Sequence, residues 1–598
     1  MAQRDYSDGL TRVAHMLLSQ LRELANTPPT DPIRETVQKL KKMKVDGHPD
    51  SAIIDYFLKY LKENDRFPDI ANQKEKKRDI KSENLRKDGN KLYKDAKYVD
   101  AVIAYNRSAC YAVSKENISI ALANRSAAFF DMKMYQECLE SIRLAREYGY
   151  PERLMEKLDK REATSKKELR RKPPQREIVV TKVGLPVNEK IPYLARCLKM
   201  QEDSLYGRYV IADEDIPAGT VIAIEEPFCK VYGNEDMYLR CAVCLYEVSH
   251  LLIPCDKCCQ TMFCSKKCQE IGAKGFHAIE CPIMGAIYEN FDDTLRLIFR
   301  TLICSFLAFP DIVTMQQALE KIEREKKNVF SFDWRKKLTP EELYTPIHTL
   351  MTNEGKFEDD HVLMVYRQSC LMFSLLRRYS PVFKERYLTT PTAEDFLKNH
   401  TCHIILIGAL NIYGLHDTMS FFDPGTKPLG LGAALYAFHS LLSHSCAPNI
   451  SLVSDESGTR SVTLKNVRKG EQIVTNYGCD HLLMDKAGRQ EELKKRYAFL
   501  CNCIACALDY PKYGALPIPE NIPRVPAQRF RDATNLTRFS VKCAKDGFNA
   551  LCKYIRKHGH HYPARQLCEA EEDLRICFNI MSRNIPLRLL EKARLSAK

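Results

Sequence analysis

The chain of 598 residues is longer than a single hydrophobic core usually becomes, which predicts three or four domains. It begins MAQRDYSDGL without an apolar leader, and its longest strongly apolar stretches, near 302–309 and 404–410, fall short of the roughly 18–20 residues that span a bilayer. This pattern argues against a secreted or membrane protein. We expect a soluble protein of the cytoplasm and nucleus, where 24 cysteines indicate metal sites rather than disulfides.

The formal charge is +14, and two basic runs stand out, KLKKMK at 39–44 and KKELRRK at 166–172. The favoured interpretation is a solvated face of a helix or linker, with a nuclear address or a nucleic-acid patch as alternatives. Because no aromatic residues alternate with these lysines and arginines, we do not expect the protein to bind nucleic acid.

An internal repeat precedes the cysteine-rich part of the chain. DGNKLYKDAKYVDAVIAYNRSA at 88–109 matches ALANRSAAFFDMKMYQECLESIRLA at 121–145, and Tyr98 then corresponds to Tyr135, a period of 37 residues. Tetratricopeptide (TPR) repeats are about 34 residues long, so this spacing predicts TPR helices with a slightly longer turn over 81–164. An ordinary helical hairpin is the alternative.

The predicted repeat also suggests a ligand. Asn90 and Asn124 lie where peptide-clamp TPRs hold the C-terminal carboxylate of a chaperone, and Arg86 with Lys160 or Arg161 could supply the cationic partners. A carboxylate in a concave groove needs such convergent donors. Surface asparagines and lysines are common, so an unspecialised helical surface is the alternative.

Two regions have the composition of strands. YVIADEDIPAGTVIAIEEPFCKVY at 209–232 predicts a hairpin around the PAG turn at 217–219, and TRSVTLKNVRKGEQIVTNYG at 459–478 places a turn at Lys469 and Gly470. Since more than two hundred residues separate these regions, we predict one sheet domain that is split by insertions.

Helical patterns fill the rest of the C-terminal two thirds. FDDTLRLIFRTLICSFLAF at 291–309 supplies an apolar face within a predicted helical insertion, and 511–598 is helical and rich in Arg and Lys. The stretch 165–190, with RRKPPQ and GLPVN, predicts a linker.

Eight zinc-type ligands lie within the forty-one residues from 241 to 281. They form two CxxC pairs, one CxxxC pair and one HxxxC pair, with the members Cys241, Cys244, Cys255, Cys258, Cys264, Cys268, His277 and Cys281. Such spacings let one tight turn supply two ligands to a tetrahedral zinc ion, so eight ligands predict two closed structural sites. Buried free cysteines are the alternative, but they would not recur in four regular pairs.

A third zinc site is predicted near the C-terminal end of the split domain. RYAFLCNCIAC supplies three thiolates, Cys501, Cys503 and Cys506, which is one short of a tetrahedral set. Cys446, in the turn LLSHSCAPNI, is the natural fourth ligand. It would fasten this turn to the C-terminal segment.

These motifs, in this order, resemble the SET and MYND domain (SMYD) family of protein lysine methyltransferases, in its TPR-bearing subgroup, over roughly residues 83–598. The resemblance implies a multidomain α+β fold, in which a split SET β-fold contains a MYND zinc module and a helical insertion. TPR helices and a C-terminal helical domain flank it. The expected boundaries are 1–80 for a helical N-terminal region, 81–164 for TPR helices, 165–190 for a linker, 191–240 for the first part of SET, 241–281 for MYND, 282–400 for the helical insertion, 401–480 for the SET core, 481–510 for the post-SET zinc segment and 511–598 for the helical C-terminal domain.

Within MYND the resemblance implies an interleaved zinc pairing. One ion takes Cys241, Cys244, Cys264 and Cys268, and the other takes Cys255, Cys258, His277 and Cys281. Cys259 is left over. The resemblance further implies that MYND binds proline-rich peptides of corepressors.

The activity that the resemblance implies is methyl transfer from S-adenosylmethionine to a lysine amine of a histone or non-histone protein. A lysine ammonium cannot attack, so its site must favour the neutral amine by desolvation and nearby positive charge. Tyr477 and Tyr497 match the catalytic channel tyrosines of the family, although either alone is more typical of a core. The cofactor-binding residues implied are Gly207, Arg208, Asn411, Ser443, His444 and Tyr477.

Two departures from the family pattern weaken the cofactor site. Ser443 stands where the family has asparagine, and Tyr209 replaces the second glycine of the first SET loop. Serine keeps one hydrogen bond, worth about 0.5–1.5 kcal/mol, so we expect weaker rather than abolished binding. The rival function is an adaptor, in which the SET core is a scaffold, MYND holds proline-rich peptides and the TPR recruits a chaperone. We expect a monomer in either case.

Overall fold

The computed structural model describes residues 28, 30–70, 75–171, 182–204, 206–356, 358–416, 430–455, 458–526, 541–582 and 587. Its α-helices are α1 Pro32–Val45, α2 Asp50–Glu63, α3 Asp79–Lys94, α4 Tyr98–Tyr111, α5 Lys115–Asp131, α6 Tyr135–Glu147, α7 Met155–Arg171, α8 Lys266–Lys274, α9 Phe276–Glu280, α10 Met284–Asn290, α11 Asp293–Leu307, α12 Ile312–Glu325, α13 Pro340–His348, α14 Asp359–Tyr379, α15 Pro381–Tyr387, α16 Ala393–Asn411, α17 Lys486–Tyr497, α18 Ile504–Ala507, α19 Val541–His558 and α20 Arg565–Ser582. Its strands are β1 Leu198–Asp203, β2 Gly207–Ala212, β3 Val221–Glu225, β4 Cys229–Tyr232, β5 Ile253–Pro254, β6 Met262–Phe263, β7 Ile412–His416, β8 Gly430–Leu435, β9 Ser443–His444, β10 Ile450–Asp455, β11 Gly458–Thr463 and β12 Val474–Thr475. This order gives the predicted α+β architecture.

Helices α1 and α2 form a hairpin that packs on the helical insertion. Phe57 of α2 is fully buried, and α2 contacts α14 and α16. Two lysines of the first basic run pair with acidic residues of the insertion, Lys41 with Asp359 at 2.5 Å and Lys44 with Glu354 at 2.7 Å. This run therefore contributes to an internal interface.

The predicted repeat is confirmed by the stack of helices α3 to α7. Tyr98 and Tyr135 each begin the corresponding helix, α4 and α6. The small side chain of Ala101 and the ring of Phe129 are both fully buried between consecutive helices, as close helix packing requires. Helix α7 continues to Arg171, so helical structure extends into the range where the linker was expected to begin.

A buried arginine joins the TPR stack to the MYND module. Arg125 of α5 is fully buried and donates hydrogen bonds to the carbonyls of His250 at 2.7 Å and Leu252 at 2.9 Å and to the side chain of Asn106 at 2.7 Å. Asn106 in turn donates to the carbonyl of Tyr238 at 2.8 Å. Burying a guanidinium is costly unless its donors are satisfied, so these contacts hold the two modules in one arrangement.

The two strand regions meet in one split domain. β3, which precedes the MYND module, pairs antiparallel with β11, which follows the insertion, with Thr459 opposite Glu225. β4 pairs in the same way with β8. The predicted hairpin around 217–219 is wrong, because β2 pairs with β1 and not with β3. Each strand has its partner in a different sheet, and the turn only connects the two sheets.

The insertion and the C-terminal helices cover this domain. Every residue of α11 from Thr294 to Ile303 is buried except Arg300, which confirms the apolar face predicted at 291–309. Helices α19 and α20 pack against β3, β10 and β11, with Leu551 and Phe578 buried beside Val462. Within the described ranges no single helix is long and apolar enough to cross a membrane, and the pair α11 and α12 passes that test only together, with a bend of 102° between them.

Candidate metal centres and tyrosine site

Two clusters of four ligands form the MYND module. Within each cluster the ligand atoms all lie within 4.8 Å of one another. One cluster comprises Cys241, Cys244, Cys264 and Cys268, and the other comprises Cys255, Cys258, His277 and Cys281. The clusters are interleaved along the chain, the same grouping that the resemblance implied. Cys259 lies outside both, with its thiol 3.9 Å from the carbonyl of Glu75.

The local structure of MYND presents these ligands on short turns and one helix. Ser265 caps α8 by accepting a hydrogen bond from the backbone N–H of Cys268 at 3.2 Å. Gly272 lets α8 approach the antiparallel pair β5–β6, since a Cβ at Gly272 would lie 2.8 Å from the ring of Phe263 on β6. That ring stands edge-on to His277, 5.5 Å between centroids.

The donor sets fit zinc. A Zn–S bond of about 2.3 Å places neighbouring sulfurs of a tetrahedron about 3.8 Å apart. The sulfurs of Cys244 and Cys264 are 3.7 Å apart, and those of Cys255 and Cys281 are 3.9 Å apart. Each set has four protein ligands and no open position, which is the composition of a structural site.

A third cluster joins the HSC turn to the post-SET segment. Cys446, Cys501, Cys503 and Cys506 bring their sulfurs within 4.8 Å of one another, with 3.7 Å between Cys446 and Cys506. Arg489 of α17 is fully buried and donates to the sulfur of Cys506 at 3.7 Å. Four thiolates around Zn²⁺ carry two net negative charges, so this buried cation is matched by the site. The three clusters together fit three zinc ions.

His444 connects the third cluster to a tyrosine pair. Its Nδ1 accepts the backbone N–H of Tyr477 at 3.0 Å, and its Nε2 lies 3.3 Å from the sulfur of Cys446. Burial lowers the pKa of His444 to about 4, so the ring is neutral at pH 7. Because Nδ1 accepts, the proton is assigned to Nε2, which donates to the sulfur.

Tyr477 and Tyr497 face each other beside this histidine. Their ring centroids are 5.0 Å apart, and Phe499 extends the cluster, 6.1 Å from His444. The hydroxyl of Tyr477 donates to the carbonyl of Leu442 at 2.6 Å. Burial raises the pKa of Tyr477 and raises that of Tyr497 to about 12, so both phenols keep their protons at pH 7.

The remaining predicted cofactor residues converge on one turn after α13. Arg208 donates to the carbonyl of Thr349 at 2.5 Å, and the side-chain amide of Asn411 donates to the carbonyl of Met351 at 2.9 Å. Gly207 has φ +66°, and a Cβ there would lie 3.7 Å from the methyl group of Met351. The side-chain amide of Asn411 also donates to the carbonyl of Ile407 at 2.8 Å, so both of its N–H groups are used and its Oδ1 is the atom that can meet a ligand.

The two departures from the family pattern occupy different places. Ser443 lies in β9, opposite Val474 and directly before His444. The ring of Tyr209 turns away onto the β1–β2 hairpin, where its hydroxyl donates to Gln201 at 3.2 Å.

Sequence reasoning missed the turn at 349–353. Asn353 donates to the carbonyl of Tyr497 at 2.9 Å, so the turn touches the first SET loop, the end of α16 and the tyrosine pair together. Asn353 has φ +48°, a left-handed conformation that asparagine tolerates better than most residues. The dipeptide Thr352-Asn353 indicates a turn, but no pattern in the sequence shows what the turn contacts.

Comparison with known proteins is consistent with this site. Residues 207–478 match the SET domain family. The chain is 25% identical over 507 residues to protein-lysine N-methyltransferase SMYD4 of Danio rerio, covering 71% of this chain and 65% of that protein. It is 23% identical over 320 residues to histone-lysine N-methyltransferase ASHR1 of Arabidopsis thaliana, covering 52% and 55%.

A fungal relative carries both module names. The chain is 23% identical over 305 residues to SET domain and MYND-type zinc finger protein 6 of Schizosaccharomyces pombe, covering 51% of each. The chain thus spans 65% or less of the length of these three relatives. The SET match, the interleaved cysteine clusters and the TPR-like helices agree: the chain contains a SET domain and is similar to proteins of the SET and MYND domain family.

Proposed function

We propose that this chain transfers the methyl group of S-adenosylmethionine to a lysine side chain of a protein, histone or non-histone. The observation that carries the proposal is the tyrosine pair, in which Tyr477 at the end of the SET match and Tyr497 of the following segment lie 5.0 Å apart, beside the residues expected to bind the cofactor. The names of the relatives, protein-lysine and histone-lysine methyltransferases, support the same reaction.

The chemistry of the site suits an amine acceptor. Aromatic walls remove a lysine ammonium from water, which lowers its pKa and favours the neutral, nucleophilic form. The hydroxyl of Tyr477 donates its hydrogen bond to the carbonyl of Leu442, so its oxygen lone pairs remain to accept a hydrogen bond from the amine N–H. Positioning of this kind can supply a large part of the rate of an in-line displacement.

The cofactor residues fit a zwitterionic ligand. When bound, S-adenosylmethionine supplies an electrophilic methyl group on a sulfonium. Arg208 offers a guanidinium with five donors, one of which is used by the carbonyl of Thr349, and a carboxylate is its natural partner. Gly207 leaves room for close approach of a ligand to the backbone.

Titration of zinc-loaded protein with S-adenosylmethionine by calorimetry tests the proposal. We expect saturable binding that Arg208→Met weakens at least about tenfold, because a charge-assisted hydrogen bond is lost. Arg196→Met is the matched control, since Arg196 is exposed and faces Glu214. Absence of binding at millimolar cofactor would favour the adaptor function.

The adaptor function has one observation in its favour, the groove of the TPR helices. The side chain of Asn124 donates to Asn90 at 3.0 Å, and Tyr105 donates to the same oxygen at 3.0 Å. Burial raises the pKa of Tyr105 to about 12, and the positive charges of Arg161 and Arg86 oppose this rise. Asn90, Asn124 and Tyr105 thus form one hydrogen-bonded cluster with two arginines in its neighbourhood, and amide and guanidinium donors of this kind suit an acidic peptide ending in a free carboxylate, such as a chaperone C-terminus.

The two candidate cations of this proposed clamp have different surroundings. Arg161 donates to the hydroxyl of the buried Ser126 on α5 at 2.8 Å, whereas Lys160 is exposed and pairs with Glu156. We expect Asn90→Ala combined with Asn124→Ala, and also Arg161→Ala, to reduce binding of an acidic peptide with a free C-terminus at least about tenfold, as measured by fluorescence anisotropy. Lys160→Ala and a C-terminally amidated peptide are the controls. Undiminished binding by the asparagine variant, or equal binding of the amidated peptide, would contradict the clamp.

Three further expectations extend the proposal. Binding of proline-rich peptides by MYND rests on the resemblance, as does location in cytoplasm and nucleus. The monomeric state is likewise an expectation.

A further inference from the structure

A buried carboxylate links the two halves of the split domain. Glu225, at the end of β3, accepts backbone N–H groups from Ala437 at 2.9 Å and Phe438 at 2.7 Å with Oε1. With Oε2 it accepts the backbone N–H of His439 at 2.9 Å and lies 2.6 Å from that residue's Nδ1. Four donors thus converge on two oxygens of a side chain that is 3% exposed.

The same histidine reaches the central strand of the sheet. Its Nε2 lies 2.7 Å from the hydroxyl of Ser461 on β11. Since an ionised carboxylate only accepts, His439 donates from Nδ1 to Glu225 and accepts the hydroxyl proton of Ser461 at Nε2.

The order Glu225, His439, Ser461 is that of a hydrolytic triad, but the geometry excludes this role. Ser461 and His439 have no exposed surface, and β11 is paired on both sides, with β10 and β3. A nucleophilic serine must reach a substrate, and this one cannot. The three side chains therefore hold structure in place.

What they hold is the segment leading to the tyrosine site. The turn at 439–441 is followed by Leu442, whose carbonyl accepts the hydroxyl of Tyr477 at 2.6 Å. Then come Ser443 and His444, which pair with β12 just before Tyr477. Only two residues, Ser440 and Leu441, separate His439 from Leu442, whose carbonyl orients the phenol.

We propose that Glu225 is a positioning residue for Tyr477, acting through the 437–442 segment, in a role that rests on the proposed methyl transfer. The carboxylate is on β3, which precedes the MYND insertion. It accepts the three consecutive backbone N–H groups of residues 437–439, which follow that insertion. The position of the Leu442 carbonyl, and with it the direction of the Tyr477 hydroxyl, depends on that attachment.

Glu225→Gln tests this dependence with little change in volume. An amide has one acceptor oxygen, so in either orientation its NH₂ group faces two of the four donors. Ser461→Ala is the milder second variant, because it removes one hydroxyl and leaves the carboxylate attached. Ser454→Ala is the matched control, a buried serine of the same sheet that bonds to Thr459.

The decisive measurement is a double-mutant cycle with Tyr477→Phe on zinc-loaded full-length protein. We expect Glu225→Gln to lower kcat about tenfold or more with the Kd for S-adenosylmethionine changed less than about threefold, and to cause no further loss in the Tyr477→Phe background. Ser461→Ala should act in the same direction and Ser454→Ala should not. Equal fractional losses in both backgrounds would overturn the proposal.

A second readout does not require activity. In protein labelled with 3-fluorotyrosine, the ¹⁹F resonance that disappears in Tyr477→Phe belongs to Tyr477. We expect this resonance to shift in Glu225→Gln and in Ser461→Ala, and to stay in place in Ser454→Ala. An unchanged resonance in both Glu225→Gln and Ser461→Ala would refute the coupling between Glu225 and Tyr477, whether or not the wild-type protein transfers methyl groups. If Glu225→Gln fails to retain zinc or to fold, Ser461→Ala decides by the same criteria.

Discussion

Replacing Tyr477 by phenylalanine is expected to lower methyl transfer at least about a hundredfold, the size typical of removing one preorganised hydrogen-bonding group from an active site. The ring stays, so its packing against Tyr497 and His444 is kept, and the backbone N–H that His444 accepts is untouched. Only the hydroxyl at the Leu442 carbonyl is lost. The amine then loses the Tyr477 oxygen that orients it.

Two measurements separate this effect from a general loss of structure. The Kd for S-adenosylmethionine, from calorimetry, should change by less than about threefold, because the variant removes an interaction made with the amine. Tyr366→Phe is the control, since it also removes a single tyrosine hydroxyl, the one that donates to Asp50 at 2.8 Å, at a distant helix contact. Unchanged turnover in Tyr477→Phe would rule out the role of its hydroxyl.

Cys446→Ser is expected to reduce the zinc content of the purified protein from three ions to two. Three thiolates from Cys501, Cys503 and Cys506 cannot close a tetrahedral structural site, and a serine hydroxyl is a poor ligand for zinc in place of a thiolate. The variant should also weaken cofactor binding, because His444 loses the sulfur that fixes its Nε2 and no longer anchors the backbone of Tyr477.

The neighbouring thiol provides the control. Cys479 is as deeply buried as Cys446 and lies two residues beyond Tyr477, but it is not part of any ligand cluster. Cys479→Ser should therefore retain three zinc ions, counted by metal analysis of dialysed protein. Three ions retained by Cys446→Ser would show that the fourth ligand has been misassigned.

The zinc centres show how far local pattern reaches. Pairs such as Cys241 with Cys244 lie within one turn, so their spacing alone indicates a metal ligand set. The fourth ligand of the post-SET cluster could also be named, because the three thiolates of the CxCxxC motif are one short of a tetrahedral set and Cys446 lies in a tight polar turn. Strand partners could not be named in this way. The hairpin predicted at 217–219 looked correct locally, but β3 finds its partner more than two hundred residues away.

The contacts that organise the site are long-range. No local pattern shows what Thr349 and Asn353 contact, and they matter because their turn of the insertion lies beside the first SET loop and Tyr497. Arg161 and Lys160 are neighbours in sequence, but Arg161 contacts Ser126 of α5, whereas Lys160 is exposed and pairs with Glu156 of its own helix. Such choices depend on how elements distant in the chain pack together.

By itself, the sequence determined the modules: the spacing of thiolates set the zinc groups, and apolar periodicity set the helices, because both act within a few residues. Only the tertiary structure decided the partners. Glu225 becomes the attachment point of the 437–442 segment, and Arg125 the joint between TPR and MYND, because buried charges must find donors or acceptors wherever the fold brings them. That requirement acts across hundreds of residues, where no local pattern records it.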